Sequence, residues 1–238
     1  MFPFRDHNPS NRIPYVAYAL IAINVLVYLT YGFLSDYQVY EVFDTWALVP
    51  AEAMAGIDLH TLFTCMFMHG GWMHLAGNML FLWVFGDNLE DYLGHVGFLV
   101  FYLLCGLGAS AAQIAVNPYS EIPNVGASGA IAGLMGGYLL LFPKARVDVL
   151  FIIVVFIKVF PLSAWIVLGG WMALQVVMGM AQWGVDGGGV AYFAHIGGFV
   201  AGIVGIGLIW ILRGRPRYWP EMPHEEVPVP GPWGLVRR

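Results

Sequence analysis

The chain has 238 residues, of which 59% are hydrophobic and only 11% are charged. A soluble domain carries about 25% charged residues, so this composition excludes a water-soluble globule and predicts an integral membrane protein in contact with the lipid bilayer. The formal net charge is −5, and the five basic residues between 213 and 238 lie beside the last apolar stretch or in a short tail, which argues against nucleic-acid binding.

Six apolar stretches that are long enough to cross a bilayer follow one another along the chain. They cover residues 14–34, 71–85, 94–116, 126–142, 162–182 and 190–212. A short helix at 62–68 leads into the second stretch, and a glycine pair separates the two. The predicted fold class is therefore all-α, a polytopic bundle of six transmembrane helices that occupies residues 14–212.

The segments outside these spans have distinct compositions. Residues 1–13 are expected to form a cytoplasmic N-terminal segment. Residues 147–160 are apolar but short and contain Lys158, so we expect an interfacial or re-entrant segment there. Residues 213–238 are rich in proline and are predicted to be a disordered cytoplasmic tail.

Basic residues are distributed unevenly around the spans. Arg5 and Arg12 precede the first span, Lys144 and Arg146 follow the fourth, and the acidic loop after the first span has no basic residue. The positive-inside rule then places both termini in the cytoplasm, which requires an even number of spans.

No small-residue cleavage site follows the first span, so we expect it to be retained. The bare N-terminus favours a bacterial cytoplasmic membrane over an organelle membrane.

Four polar residues within the spans form a pattern that suits acyl transfer. Ser128 lies in Gly126-Ala127-Ser128-Gly129 and His195 lies in the sixth span, where polar groups are expensive and usually functional. A serine hydroxyl needs a base such as histidine to become a nucleophile. His74 and Asn78 are four residues apart, so they share a helix face and, with the Ser128 amide, supply donors for an oxyanion.

Small residues recur along the fourth and sixth spans and predict that these two helices pack closely. The two rows are Gly129, Gly133, Gly137 and Ala194, Gly198, Gly202. With the N-terminus inside, spans two, four and six all run inward. The four polar residues lie in the first half of these spans, so they are expected at similar depth near the external face.

These motifs resemble those of the rhomboid family of intramembrane serine proteases. Gly126 to Gly129 matches its Gly-x-Ser-Gly motif, Ala194, His195 and Gly198 match its Ala-His-x-x-Gly motif, and His74 with Asn78 match its His-x-x-x-Asn motif. The resemblance implies a serine endopeptidase with a Ser128–His195 dyad, an oxyanion hole at His74 and Asn78, and a water-filled cavity among six helices. Substrates would be single-span membrane proteins whose transmembrane helix unwinds near its outer end.

Two positions depart from the family pattern. Many members have a Trp-Arg pair in the first loop, where this chain has His60 and Thr61. Some members place an aromatic residue one turn after the serine, where this chain has Ala132, so another group must orient His195. No acidic residue lies near the base in sequence apart from Asp186. No cofactor or metal is implied, since the histidines lack a supporting set of cysteines or carboxylates.

Two other functions would also use polar residues within membrane helices. A catalytically inactive relative that binds transmembrane helices in membrane-protein quality control should lack the serine or the histidine, and both are present. A transporter or proton channel that uses His74 and His195 as a relay predicts paired carboxylates or inverted repeats, and neither is seen. His69 is a weaker candidate for the polar rim of the cavity, with an interfacial hydrogen bond as the alternative, and Gln113 for holding its water, with a packing role as the alternative. Cys65 and Cys105 are expected in the core.

Overall fold

The helices of this chain form a bundle around one short buried helix. The computed structural model describes residues 2–153, 156–184 and 188–213. A 3₁₀ turn at Cys65–Phe67 follows the fourth helix. In chain order the helices are α1 (Tyr15–Tyr31), α2 (Asp36–Trp46), α3 (Pro50–Met54), α4 (Thr61–Thr64), α5 (Trp72–Leu93), α6 (His95–Val116), α7 (Ser128–Leu141), α8 (Ala164–Ala181) and α9 (Tyr192–Arg213).

Each predicted span contains one long helix, although the boundaries differ. The largest difference is in α5, which continues to Leu93, eight residues beyond the predicted end of the second span. Within the described residues, α6, α8 and α9 are long and apolar enough to cross a membrane, whereas α1 and α7 are apolar but shorter. The number of crossings therefore stays a prediction. The predicted tail lies outside the described residues apart from Arg213.

The atoms that surround the glycines of α7 show the relative directions of the helices. Contacts follow the same order along α7 and α9, which makes them parallel: Gly129–Ala194, Gly133–Gly198 and Gly137–Ile206. They follow opposite orders along α7 and α6, which makes those two antiparallel: Gly129–Ala109, Gly133–Cys105 and Gly137–Phe101. Gly126, just before α7, lies against His74 at the start of α5 and Gly137 lies against Leu89 near its end, so α5 is also parallel to α7. The first turns of α5, α7 and α9 therefore lie together.

The small-residue rows lie where α7 meets α9. A Cβ atom added to Gly198 would overlap the carbonyl oxygen of Gly129, and one added to Gly202 would overlap that of Gly133. Residues 129–138 of α7 are all buried. This short central helix therefore has backbone-to-backbone contact with α9, which brings the side chains at their N-terminal ends within hydrogen-bonding range.

A small antiparallel sheet corrects the all-α prediction and the prediction for residues 147–160. Its strands are β1 (Phe2–Asp6), β2 (Arg146–Ile153) and β3 (Phe156–Ser163), in the order β1-β2-β3. Val147 and Val149 of β2 are fully buried, while Arg146 before them and Asp148 between them are not, which is the two-residue period of a strand. Pro161 is tolerated because β3 is an edge strand.

The loop between α1 and α5 is anchored without the family's Trp-Arg pair. The His60 Nε2–H donates to the Thr45 carbonyl oxygen at 2.9 Å, and its ring meets the Trp46 ring edge-on at 5.5 Å. The Thr64 hydroxyl donates to the Trp46 carbonyl oxygen at 2.8 Å. These contacts fasten α2 to α4 and hold the loop beside the N-terminal ends of α5 and α7.

Candidate active site

The serine and the histidine that the sequence singled out meet at the N-terminal ends of α7 and α9. Ser128 is the first residue of α7, and His195 lies in the first turn of α9. The Ser128 Oγ is 2.8 Å from the His195 Nε2, which is hydrogen-bonding distance. A nucleophile and a base in this geometry can exchange the proton that activates the hydroxyl.

The second nitrogen of His195 contacts a residue of α8. The His195 Nδ1 is 2.8 Å from the Gln175 Oε1, and Gln175 is 6% exposed. One turn earlier on α8, the Trp171 ring packs against the imidazole, with a centroid distance of 5.6 Å and an interplanar angle of 35°. Both edges and one face of the imidazole are therefore occupied by neighbouring side chains.

His74 and Asn78 line the same cavity from the first two turns of α5. The Gly70 N–H donates to the His74 Nδ1 at 3.3 Å, which leaves the Nε2 of the neutral ring to carry the hydrogen. The Asn78 side chain is 7% exposed, and its Nδ2 has no hydrogen-bond partner among the described residues. The site thus contains two side-chain donors that are not used by the protein around them.

The segment that leads into α7 requires glycine at position 126. Gly126 has a φ of +135°, a conformation that side chains rarely adopt, and its N–H donates to the Cys65 carbonyl oxygen at 2.9 Å. A Cβ atom at this position would lie 2.9 Å from the His74 Nε2. Glycine therefore lets the backbone approach His74, while the N–H of Ser128 at the helix start has no intrahelical partner.

A cavity of about 610 Å³ contains this group of residues. Its lining includes His74, Asn78, Ser128 and His195 together with apolar side chains of α5, α7 and α8. No group of three or more His, Cys, Asp or Glu side chains in the described ranges is arranged to hold a metal ion. The cavity contains a hydroxyl group hydrogen-bonded to an imidazole and side-chain N–H donors nearby, which are the groups that acyl transfer uses.

Of the two secondary candidates, Gln113 lies at the cavity and His69 does not. Gln113 lines the cavity, and its Oε1 accepts the Ala194 N–H at 3.2 Å, so it ties α6 to the start of α9. His69 is fully buried and does not belong to the cavity lining, so the prediction of a rim position was wrong. It packs edge-on against the His74 ring at 5.1 Å because the Tyr31 hydroxyl holds its backbone.

The sequence analysis missed Gln175 and Trp171. Gln175 is the single side-chain amide in the otherwise apolar helix Ala164–Ala181, and a lone polar residue at membrane depth is a functional candidate. Trp171 precedes it by four residues and therefore shares its helix face. That combination was the available signal, although it could not indicate which residue the pair contacts. Asp186, the acidic residue nearest the base in sequence, lies outside the described residues.

The geometry defines a class, namely helical membrane proteins with a serine–histidine pair in an internal cavity. The family model described as Rhomboid domain matches residues 57–213, and this chain belongs to the rhomboid family. The resemblance seen in the three motifs is thereby confirmed. The match begins in the loop before α4 and ends with α9, so it includes every residue of the candidate site.

Curated relatives come from organelles and from a bacterium. Rhomboid protein 1, mitochondrial, of Saccharomyces cerevisiae is 27% identical over 209 residues, which are 84% of this chain and 54% of that protein. Rhomboid-like protein 11, chloroplastic, of Arabidopsis thaliana is 28% identical over 202 residues, 83% of this chain and 65% of the relative. Rhomboid protease GluP of Bacillus subtilis is 32% identical over 130 residues, which are 55% of this chain and 25% of that protein. The chain spans less than two thirds of each of these relatives.

Proposed function

We propose that this chain is an intramembrane serine endopeptidase that cleaves the transmembrane segments of single-span proteins. The observation that carries this proposal is the 2.8 Å contact between the Ser128 Oγ and the His195 Nε2 inside the cavity. Membership of a family that includes Rhomboid protease GluP supports the reaction class. The substrate, the site residues and the activity itself belong to the proposal.

In the proposed acylation step, His195 takes the hydroxyl proton as Ser128 attacks the scissile carbonyl carbon. The negative charge that develops on the carbonyl oxygen is stabilised by the His74 Nε2–H, the Asn78 amide and the Ser128 backbone N–H. Collapse of the tetrahedral intermediate breaks the C–N bond, and His195 passes its proton to the leaving amine. The product is an ester on Ser128.

In the proposed deacylation step, a water molecule loses its proton to His195 and attacks the ester carbonyl carbon. The same three donors stabilise the second oxyanion, and the proton returns to the Ser128 oxygen as the acid product leaves. Each proton and electron pair is returned, so the cycle needs no cofactor. The partly apolar lining of the cavity suits a membrane-derived peptide that has left its helical conformation.

The proposed cleavage position is near the outer face of the membrane. Parallel α5, α7 and α9 begin at one end of the bundle, and the candidate residues lie in their first turns. With both termini in the cytoplasm this end faces outward. A substrate helix is more readily unwound there if it contains small or helix-breaking residues, because a buried backbone otherwise keeps its hydrogen bonds.

The proposed location is the bacterial cytoplasmic membrane, with two cytoplasmic termini and six crossings. Relatives occur in mitochondria, chloroplasts and a bacterium, so family membership alone supports only an integral membrane protein. Reporter fusions after residues 58, 118 and 213 measure the sidedness of these loops. The proposal expects the first two outside and the third inside, and a third reporter outside would overturn it.

The decisive test of the function is cleavage of a single-span substrate by purified protein in proteoliposomes. Wild type should cleave, whereas Ser128→Ala and His195→Ala should reduce turnover by a factor on the order of 10⁴ or more. Ser110→Ala is the matched control, because Ser110 is buried in α6 and does not line the cavity. It should retain activity and folding.

A fluorophosphonate probe separates the alternatives. It should label wild type and leave Ser128→Ala unlabelled, since the probe forms a bond with an activated serine. Cleavage that persists in Ser128→Ala would overturn the proposal. If wild type binds the substrate helix but neither cleaves it nor reacts with the probe, the inactive helix-binding function in quality control replaces the protease.

A further inference from the structure

We propose that Gln175 is the positioning residue that holds the catalytic base, with Trp171 of the same helix packed on the imidazole. The inference rests on the proposed function, since a base needs positioning only if Ser128 is a nucleophile. It assigns to α8 a role that neither the family motifs nor the sequence pattern gave it. The carrying observation is the 2.8 Å contact between the Gln175 Oε1 and the His195 Nδ1.

The chemistry of that contact determines the tautomer of the histidine. An amide oxygen only accepts hydrogen bonds, so the His195 Nδ1 must carry the hydrogen. The Nε2 of the neutral ring is then unprotonated and accepts the hydrogen of the Ser128 hydroxyl. The opposite tautomer would place a hydrogen between the Nε2 and the serine oxygen, where no proton could be taken up. Gln175 thus selects the competent form without carrying a charge.

The packing around the imidazole explains why α8 has this task. Ala132, one turn after Ser128, is fully buried and has only a methyl group to offer the ring. Trp171 reaches the imidazole from α8 and also packs on Phe199 at 6.4 Å. Because Trp171 and Gln175 are four residues apart, one helix face supplies both the packing surface and the acceptor.

Helix α8 lies at the periphery of the bundle, with its outer face exposed. Leu174, adjacent to Gln175, is 54% exposed and Val177 is 63% exposed, so this helix is covered by the protein on one side only. Near its end, Gly179 lies against Tyr192 of α9. Gln175 is therefore a buried amide at the contact between a peripheral helix and the helix that carries the base.

The competing explanation is that Gln175 only fastens α8 to α9, as polar residues often do between membrane helices. The pH dependence of turnover distinguishes the two, because a fastening role leaves it unchanged. Around His195, the described residues contribute His74 from α5 as the titratable neighbour, Ser128 from α7, Gln113 from α6 and Gln175 from α8.

The experiment uses the full chain in proteoliposomes and compares three variants. Gln175→Met keeps the length of the side chain but has no acceptor for the Nδ1–H. Gln175→Glu keeps the acceptor and adds a charge. Leu174→Met is the matched control, since it makes a similar change at the neighbouring exposed position. Each variant is measured for kcat, KM, pH profile and thermal unfolding.

We expect Gln175→Met to lower kcat roughly ten- to a hundredfold, with KM within about twofold of wild type, because the change weakens proton transfer and not binding. Gln175→Glu should retain much of the activity and move the acid limb of the pH–rate profile to higher pH. A carboxylate beside the Nδ1 stabilises the protonated imidazole, so a higher pH is needed to free the base. Leu174→Met should match wild type.

The outcomes separate this inference from the proposed function. If Gln175→Met and Gln175→Glu both cleave the substrate with the wild-type kcat and pH profile while Ser128→Ala does not cleave it, the proposed protease function is supported and the positioning role is overturned. If both variants lose activity only in proportion to lost folded protein, Gln175 merely fastens the helices and the inference again fails. If the wild-type protein neither cleaves the substrate nor reacts with the fluorophosphonate probe, the proposed function itself is overturned.

Discussion

The two ends of α5 treat buried polar groups in opposite ways. At its start, Asn78 has an Nδ2 without a partner among the described residues, and the Nε2 of His74 faces Gly126 beside the cavity. Near its end, the Asn88 Nδ2 donates to the Asn8 carbonyl oxygen at 2.7 Å. The Glu90 carboxylate accepts the Val16 and Ala17 N–H groups at 2.9 and 2.8 Å.

These two groups are separated along a single helix. His74 and Glu90 are 16 residues apart, which is about 24 Å along the axis at 1.5 Å per residue. Near the C-terminal end of α5, buried polar atoms satisfy the first N–H groups of α1, which have no partner within their own helix. At the N-terminal end of α5, the donors stay available for a ligand. At the start of α5 the unmet donors line the proposed active site, whereas near its end the Glu90 carboxylate is fully used, although the Asn88 Oδ1 has no partner among the described residues. We call these the proposed functional end and the structural end of α5.

A pair of asparagine substitutions tests this contrast most strongly. Asn78→Ala should lower kcat by about 10²–10³-fold, since one oxyanion donor is lost, while thermal stability stays near that of wild type. Asn88→Ala should leave kcat unchanged and lower stability by about 1–3 kcal/mol, because the Asn8 carbonyl loses its buried donor. Cleavage kinetics and thermal unfolding in one detergent measure both effects.

The two residues are matched in type, helix and burial, with exposures of 7% and 3%. A loss of kcat in one variant and a loss of stability in the other therefore could not be explained by a general sensitivity of α5 to mutation. If Asn78→Ala loses stability and activity together, the free amide is a structural group and the distinction between the two ends of α5 breaks down. His74→Ala should behave as Asn78→Ala does.

The sequence was most informative where chemistry restricts the choice of residue. Ser128, His195, His74 and Asn78 were predictable as a group, because polar side chains are rare in apolar helices and each has a recognisable task in acyl transfer. Their order on parallel helices followed from the alternation of spans. Gln175 was not predicted, since a single amide does not reveal its partner and the contact depends on how α8 packs against α9.

The sheet was missed for a different reason. Residues 147–160 were judged by length and hydropathy, which do not separate a strand from an interfacial helix. The alternation of Arg146, Val147, Asp148 and Val149 indicated a strand with a hairpin partner nearby, Phe156–Ser163, but the other partner of this strand is Phe2–Asp6, some 140 residues away. Such long-range pairing is not visible in a local pattern, and the N-terminal segment carries only a weak strand signal.

A second substitution tests the structural end of α5. Glu90 is 1% exposed, and besides the two N–H groups of α1 it contacts the His95 Nδ1. Glu90→Gln replaces one acceptor with an amide that faces a backbone donor, so the free energy of unfolding should fall by about 1–3 kcal/mol with kcat unchanged. Glu41→Gln, at an exposed position of α2, is the control and should be neutral. A change in kcat at constant stability would show that Glu90 acts on turnover and is not a purely structural residue.

The third and smallest effect concerns the contact between the sheet and α7, where the Tyr138 hydroxyl donates to the Asp6 Oδ2 at 2.7 Å. The pKa of Asp6 is raised from 3.8 to about 7, chiefly by burial; the hydrogen bond from Tyr138 opposes this rise and the nearby Asp87 adds to it. A carboxyl group whose pKa is higher in the folded state binds its proton more tightly there. The stability it contributes is therefore complete below about pH 4 and is lost as pH rises towards 7.

Asp6→Asn removes this titration and keeps an acceptor for Tyr138. The Tm of the variant should equal that of wild type near pH 4 and exceed it above pH 7 by on the order of 2–4 °C. Asp44→Asn on the exposed face of α2 should show no such trend. A Tm difference that is constant from pH 4 to 8 would mean that Asp6 keeps its charge in the folded protein. It would then be a satisfied acceptor that adds no pH dependence to the stability of the protein.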